Sequence, residues 1–110
     1  MEPIYHLALR RDWEGAPDEE YRAASLPTEG FIHCSRADQV ARSANRFYAR
    51  AEGLLVLTID PVRLVSPLRH DPASNGELFP HIHGPLNRSA VVAVAEMTRG
   101  PDGLWTFRAP

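Results

Sequence analysis

Apolar and polar positions along the chain alternate over short stretches, which predicts more strands than helices. Ile4 to Leu9 predicts a first strand, with Ile4, His6 and Ala8 on one face and Tyr5, Leu7 and Leu9 on the other. Gly30 introduces a second short strand, in which Phe31 and His33 share one face and Ile32 and Cys34 share the opposite face. Each of these two strands therefore carries a histidine whose direction depends on which face is buried.

Two longer apolar runs predict the remaining main strands. Leu54 to Ile59 is nearly all apolar and stops at Asp60 and Pro61, as expected of a strand buried on both faces. Ala90 to Met97 is the second apolar strand, and a turn rich in glycine leads from it into Leu104 to Phe107. We therefore expect a hairpin over residues 98–110 at the C-terminus.

One segment has the pattern of an amphipathic helix packed on a sheet. Ser35 is a good N-cap, Asp38 stands three residues later as the partner in a capping box, and Gly53 ends the segment. The expected core-facing stripe is made of apolar residues at helical spacing: Val40, Ala41, Ala44, Phe47, Tyr48 and Ala51. Shorter features are a helical turn over 10–14, an ambiguous segment over 21–26, a turn over 61–64, a strand over 68–70 and a polar loop over 71–76.

These elements favour an α+β fold. Strands outnumber helices and are not separated by them at regular intervals, so a wound α/β fold is disfavoured. The 110 residues suffice for one core and are too few for two. We predict one domain over residues 1–110, with a mostly antiparallel mixed sheet and one main amphipathic helix.

Composition and charge narrow the range of functions. All twelve basic residues are arginine, which removes mechanisms that need a lysine Schiff base or a lysine general base. The formal charge of −2 argues against duplex nucleic acid as a partner. No apolar run approaches the length of a membrane span, and the acidic start with no apolar segment after it argues against a signal peptide. With a single cysteine, Cys34, the expected location is cytoplasmic.

Ionisable residues of interest fall in three short segments. The first contains His6, the second contains His33, and the third contains Glu77 with His81 and His83. The spacing of His81 and His83 puts two imidazoles on one face of a strand, which suggests a divalent metal site in a histidine-rich protein. This spacing matches no strong zinc motif, so a set of hydrogen-bonded structural histidines is the alternative.

Cys34 has two interpretations. It precedes the expected helix N-cap and would gain thiolate character there, or it is a small buried hydrophobe on the face of Ile32.

Three segments together resemble a known bacterial family. They are Ile4-Tyr5-His6-Leu7, Gly30-Phe31-Ile32-His33-Cys34-Ser35 and Glu77-Leu78-Phe79-Pro80-His81-Ile82-His83-Gly84-Pro85-Leu86. In this order they resemble the family called domain of unknown function 952, over a family-like core of about residues 4–97. The family typically has tyrosine where this chain has His83. The resemblance therefore does not imply a metal pair at His81 and His83 as a family function.

The family in turn resembles the ADP-ribosyltransferase superfamily, which includes the RNA 2′-phosphotransferases. The correspondence rests on Tyr5-His6 in the first strand, on Gly30-Phe31 with Ser35 in the second, and on Glu77 before a late strand. It implies an ADP-ribosyltransferase-like core and NAD as a substrate. Glu77 would stabilise the oxocarbenium-like transition state of nicotinamide release, as carboxylates do in glycoside cleavage.

The same resemblance implies roles for further side chains. His6 would be the second catalytic residue, hydrogen-bonded to a ribose hydroxyl or a phosphate. The ligand-binding residues would be those that stack on the nicotinamide, bind phosphate or line the cleft: Tyr5, His33, Ser35, Arg36, Phe79 and His81. His6 and His33 fit one cleft only if their strands point both side chains to the same side.

Three functions thus remain open for the chain. They are an ADP-ribosyltransferase-like enzyme or NAD-dependent phosphotransferase, a non-catalytic module for a small nucleotide, and a histidine-rich metal-binding protein. The sequence predicts neither the acceptor nor the oligomeric state. Convergence of His6, His33, Glu77 and His81 on one pocket would favour chemistry.

Overall fold

The fold is organised around β4 (Leu54–Ile59), whose six residues are all buried. On one side it pairs antiparallel with β1 (Ile4–Leu9), and on the other with β8 (Val91–Glu96). This central sheet has the order β1-β4-β8. An almost wholly apolar run forms the middle strand because both of its faces lie against other parts of the molecule.

The computed structural model describes residues 1–109. The other strands in this part of the chain are short: β2 (Glu20–Tyr21), β3 (Ile32–His33), β5 (Leu68–Pro72), β6 (Leu78–Ile82), β7 (Leu86–Asn87), β9 (Thr98–Arg99) and β10 (Trp105–Thr106). Its helices are α1 (Arg10–Glu14), α2 (Ser25–Glu29) and α3 (Val40–Phe47), with 3-10 turns at Ala37–Gln39, Pro61–Arg63 and Arg88–Ala90.

A second sheet, of order β3-β6-β5, lies against the first. Its inner face carries a row of apolar side chains, because Ile32 and Leu68 both lie opposite Ile82 in the antiparallel register. The two sheets are joined where the backbone of Tyr5 exchanges hydrogen bonds of 2.7 and 2.9 Å with the backbone of Ser35. Two small antiparallel ribbons, β2-β7 and β9-β10, complete the architecture.

The core has two parts, one on each face of the central sheet. The part between the two sheets contains Ile4 and Ala8 from β1 together with Ile32 and Cys34. The part on the other face contains Tyr5 and Leu7, with side chains from α3 and the C-terminal ribbon. The two predicted faces of the first strand are therefore confirmed, as is burial of Cys34 on the Ile32 face.

The main helix differs from its prediction at both ends. The 3-10 turn begins after Arg36 instead of Ser35, and the backbone N–H of Arg36 donates to the Gln39 side chain at 2.9 Å. Asp38, the predicted capping partner, instead accepts a hydrogen bond from the Arg36 guanidinium. The helix ends at Phe47, a residue that is 69% exposed and so does not join the predicted core stripe.

The α+β class is confirmed, with a single domain, antiparallel sheets and few helices. The longest α-helix in residues 1–109 has eight residues, and no helix of this part has the length and apolar character that crossing a membrane requires. The predicted polar loop is shorter than expected, since Asp71 and Pro72 belong to β5. They pair with Phe79 and Leu78 across the β5-β6 hairpin.

The C-terminal ribbon is fastened to α3 by the side chain of Asn45. Its carboxamide oxygen accepts from the backbone N–H of Trp105 at 2.7 Å, and its nitrogen donates to the Trp105 carbonyl at 3.0 Å. The indole N–H of Trp105 donates to the Tyr48 carbonyl at 2.7 Å. A short ribbon that could not hold its position alone is thus tied to the helix by both backbone groups of one residue.

Replacing Asn45 with alanine should lower the free energy of unfolding by about 1–3 kcal/mol, because it leaves the buried backbone groups of Trp105 without partners. Urea denaturation followed by tryptophan fluorescence measures the change. Ser43→Ala on the same helix is the control and should change it by less than about 0.5 kcal/mol. Equal stability of the Asn45 variant and the native protein would contradict the fastening role.

Candidate functional site

The outer face of the second sheet brings together most of the histidines. In the β3-β6-β5 register, His33 and Arg69 both lie opposite His81. Residues directly opposite in antiparallel strands share a face, so these three form one row across the sheet. Residues two positions away along a strand share that face too, which places Phe31 beside His33 and Asp71 beside Arg69.

We call this surface the histidine face and define it by six residues: Phe31, His33, Arg69, Asp71, His81 and His83. Phe31 holds the aromatic rings together. It stacks on His81, with ring centroids 4.1 Å apart and planes at 12°, and it lies 4.9 Å from His33 and 5.3 Å from His83. The imidazoles of His33 and His81 meet edge to face at 5.2 Å.

Asp71 is the centre of the polar contacts on this face. Its Oδ2 lies 2.8 Å from Nδ1 of His81 and 3.0 Å from Nε2 of His83, so one carboxylate oxygen meets two imidazoles. These hydrogen bonds hold the pKa of Asp71 below its ordinary value. Desolvation, which outweighs the hydrogen bond to Asp71, lowers the pKa of His81. At neutral pH the face therefore combines an ionised carboxylate with a neutral imidazole at His81.

The solvent exposure of these side chains increases across the face. The side chain of His81 is 11% exposed, that of His83 is 25% exposed, and that of Asp71 is 34% exposed. His33 is more open, and its Nε2 lies 3.0 Å from Oε2 of Glu29 at the end of α2. A ligand in solution can thus reach two carboxylate–imidazole groups here, that of Asp71 within the histidine face and that of Glu29 and His33 at its edge.

His6 lies on the opposite side of β3 from the histidine face. Its ring is buried between the two sheets, with Nδ1 2.6 Å from the carbonyl oxygen of His33 and Nε2 3.3 Å from the hydroxyl of Tyr21. A carbonyl only accepts, so Nδ1 carries the proton and Nε2 accepts from Tyr21. Burial lowers the pKa of His6 to about 4, and the ring is neutral at physiological pH. The side chains of His6 and His33 therefore do not point to the same side.

Glu77 is in a third place, just before β6. Its carboxylate accepts from the Gln39 amide at 3.0 Å and forms an ion pair with Arg42. These contacts hold the pKa of Glu77 below its ordinary value, so it is ionised at neutral pH. Gln39 is fully buried and also donates to the Leu78 carbonyl at 2.9 Å, which anchors this end of β6 to the start of α3.

The remaining predicted ligand residues are dispersed. Tyr5 is 2% exposed and packs edge to face on Phe107, in the part of the core that α3 covers. Ser35 is buried beside it in the bridge between the sheets. Arg36 donates to the Leu78 carbonyl at 2.7 Å and lies 3.9 Å from the Glu77 carboxylate. Phe79 is half-buried on β6 and by alternation shares the face of His81.

The structure thus brings His33 and His81 together and places His6 and Glu77 elsewhere. Sequence reasoning assigned no role to Asp71, because it was expected in a loop, or to Gln39 and Arg42. The missed signal was the register of the β5-β6 hairpin. Asp71 and His81 fall on one face of the sheet once the turn is centred on Asn75. The predicted catalytic and ligand-binding roles themselves stay predictions.

A family model described as "Protein of unknown function (DUF952)" matches residues 7–94. The chain belongs to this family. The match contains the strands that carry His33, His81 and Asp71, so the histidine face lies wholly within the DUF952 region. No curated protein matches the chain. None of these comparisons names an ADP-ribosyltransferase, and that more distant resemblance stays a prediction.

Solved structures of protein CC0527 from Caulobacter crescentus are similar to this DUF952 chain. The crystal structure has a TM-score of 0.84 at 26% identity, and the match covers 94% of this chain and 93% of that one. The solution NMR structure has a TM-score of 0.79 at 27% identity and covers 94% and 91%. A protein whose structure has been determined experimentally therefore shares the α+β architecture.

The burial of neutral His6 predicts a stability that falls in mild acid. The pKa of His6 is about 4 when folded and near 6.5 when unfolded, so the unfolded chain binds the proton first as the pH falls. Stability is full above about pH 6.5, and roughly 2 kcal/mol of it should be lost between pH 7 and pH 5. Urea denaturation at each pH measures this.

His6→Gln is the informative variant, because an amide can donate and accept as the neutral ring does and does not titrate. We expect it to flatten the pH dependence, while His70→Gln, at an exposed histidine, leaves it unchanged. A steep loss of stability that persists in His6→Gln would assign the effect to other groups.

Proposed function

We propose that this protein binds a divalent transition-metal ion through Asp71, His81 and His83. The observation that carries the proposal is the shared contact of one Asp71 oxygen with two imidazole nitrogens. The three ligand atoms all lie within 4.8 Å of one another. Metal–nitrogen and metal–oxygen bonds of about 2 Å let one ion reach all three atoms after shifts of roughly 1 Å or less.

The ionisation of these groups also suits a metal. A metal needs neutral imidazoles and an ionised carboxylate. The pKa of His81 and the pKa of Asp71 are both displaced below their ordinary values, so His81 resists protonation and Asp71 remains charged. Two nitrogens and one oxygen are ligands typical of zinc and of the neighbouring first-row ions.

Three protein ligands make an open site. A tetrahedral ion held by Asp71, His81 and His83 keeps at least one position for water or another ligand, in the manner of catalytic zinc sites. The proposal concerns this chain and is not extended to other DUF952 proteins. The Phe31 ring stacks on the imidazole of His81 and restricts the rotation of this metal ligand.

Metal content is the first test. Protein purified without an affinity tag, dialysed against zinc and then against buffer, should retain about one ion per chain by elemental analysis. Asp71→Asn and His83→Tyr should each weaken zinc binding in calorimetry by at least about tenfold, because the first replaces a charged ligand with a neutral amide and the second removes an imidazole nitrogen. His70→Ala, an exposed histidine of the same strand as Asp71, is the matched control and should bind as the native protein does. Zinc binding unaffected by Asp71→Asn would refute the site.

A second candidate function is the binding of NAD or a related nucleotide, with or without ADP-ribosyltransferase-like turnover. The observation that favours it is Glu77, which is ionised and held in one orientation by Gln39 and Arg42. A fixed carboxylate of this kind is what stabilisation of a ribosyl oxocarbenium ion requires. Arg36, beside Glu77, would supply a guanidinium for a phosphate.

This candidate predicts that millimolar NAD or ADP-ribose raises the melting temperature of the protein. If turnover accompanies binding, nicotinamide release measured by chromatography should fall at least about a hundredfold in Glu77→Gln. Glu52→Gln, at an exposed residue outside the Glu77 contacts, is the control and should leave both signals unchanged. No melting shift with any nucleotide and no nicotinamide release would reject the candidate.

A further inference from the structure

We propose that the histidine face binds the phosphate group of a small phosphorylated molecule, with one phosphate oxygen on the metal ion and others on Arg69. This inference rests on the proposed metal site and names the class of ligand that completes it. It assigns a binding role to Arg69, a residue that the sequence placed in a strand and to which it gave no functional role.

The position of Arg69 follows from two independent features of the sheet. It lies directly opposite His81 in the β5-β6 register, and it stands two residues before Asp71 on the same strand. Both relations put its side chain on the face from which Asp71 reaches His81 and His83. Arg69 therefore lies next to the proposed ion without being a ligand of it.

The guanidinium of Arg69 has no competing partner in residues 1–109. Among these residues it takes part in no ion pair and no side-chain hydrogen bond, and it is exposed. Several other arginines are engaged, as Arg42 is by Glu77 and Arg88 is by backbone carbonyls and the Trp13 ring. An arginine without a partner beside an open metal position is available for an anion.

The charges favour a dianion. A divalent ion and the Asp71 carboxylate sum to one positive charge, and Arg69 supplies a second beside them, at the end of the row opposite His33 and the Glu29 carboxylate. A phosphate monoester carries nearly two negative charges at neutral pH. Its tetrahedral oxygens can bind the metal with one oxygen and a guanidinium with two, which neither a carboxylate nor a neutral ligand can match.

The open shape of the face suits a phosphate group presented at one end of a molecule. The face is open to solvent, since the side chains of His83 and Asp71 are 25% and 34% exposed and Arg69 is exposed as well. Recognition therefore depends on the charged group and on the flanking rings of Phe31 and His33 more than on enclosure. The phosphate group of the ligand would therefore supply most of the binding free energy.

Cobalt-loaded protein provides the test, because visible absorption of Co²⁺ reports a change in its ligands. Metal affinity is measured first, in phosphate-free buffer, for the native protein and for Arg69→Gln. Phenyl phosphate is then titrated into each loaded protein, followed by absorption and by calorimetry. We expect equal cobalt affinity in the two proteins and phosphate binding that is at least about tenfold weaker in Arg69→Gln. Arg50→Gln, at an exposed arginine of another surface, is the control and should bind phosphate as the native protein does.

The outcomes separate the two proposals. Cobalt binding with no response to phenyl phosphate, or with a response that Arg69→Gln leaves unchanged, overturns the phosphate site and leaves the metal site intact. Failure of the native protein to bind cobalt or zinc overturns the metal site, and the phosphate proposal falls with it.

Discussion

The hydrogen bond from His6 to the carbonyl of His33 is the contact on which the arrangement of the two sheets depends. An imidazole buried between layers must have both nitrogens satisfied, because an unpaired polar group there costs about twice what a typical hydrogen bond contributes. Nδ1 finds its partner on the backbone of β3, and Nε2 finds one in Tyr21. The same strand is joined to β1 through the bridge between Tyr5 and Ser35.

Fixing β3 in this way decides which side chains face solvent. With Ile32 and Cys34 committed to the core, period-two alternation directs Phe31 and His33 outward. The β3-β6 register then brings His81 to the same surface. A buried histidine thus positions the exposed ones, although it does not share a pocket with them.

Local alternation in the sequence was enough to predict the α+β class and the two faces of β1 and β3. It was not enough for Asp71, because polar residues near a turn look alike whether they end a strand or begin a loop, and only pairing with Phe79 distinguishes the two. Phe47 was placed in the core on helical spacing, but the helix ends at that residue and its ring remains exposed. Spacing cannot show where neighbouring elements stop covering a helix.

Local sequence patterns were also insufficient to predict the contacts within the candidate site. His33 and His81 could be placed on strands from the sequence, but their meeting depends on a long-range register between segments nearly fifty residues apart. Glu77 was singled out without its partners, since Gln39 and Arg42 contact it only when the start of α3 lies beside β6. The sequence shows which residue types are present, but only the fold shows which of these side chains contact one another.

The burial of Cys34 makes this chain convenient to label. The residue is only 4% exposed, and desolvation raises the pKa of its thiol well above the ordinary value. Cys34 therefore offers almost no thiolate to alkylating reagents. A cysteine introduced on the surface would therefore be the one thiol that a maleimide dye or spin label reaches under native conditions. Probes could be attached near the histidine face without first removing the native cysteine.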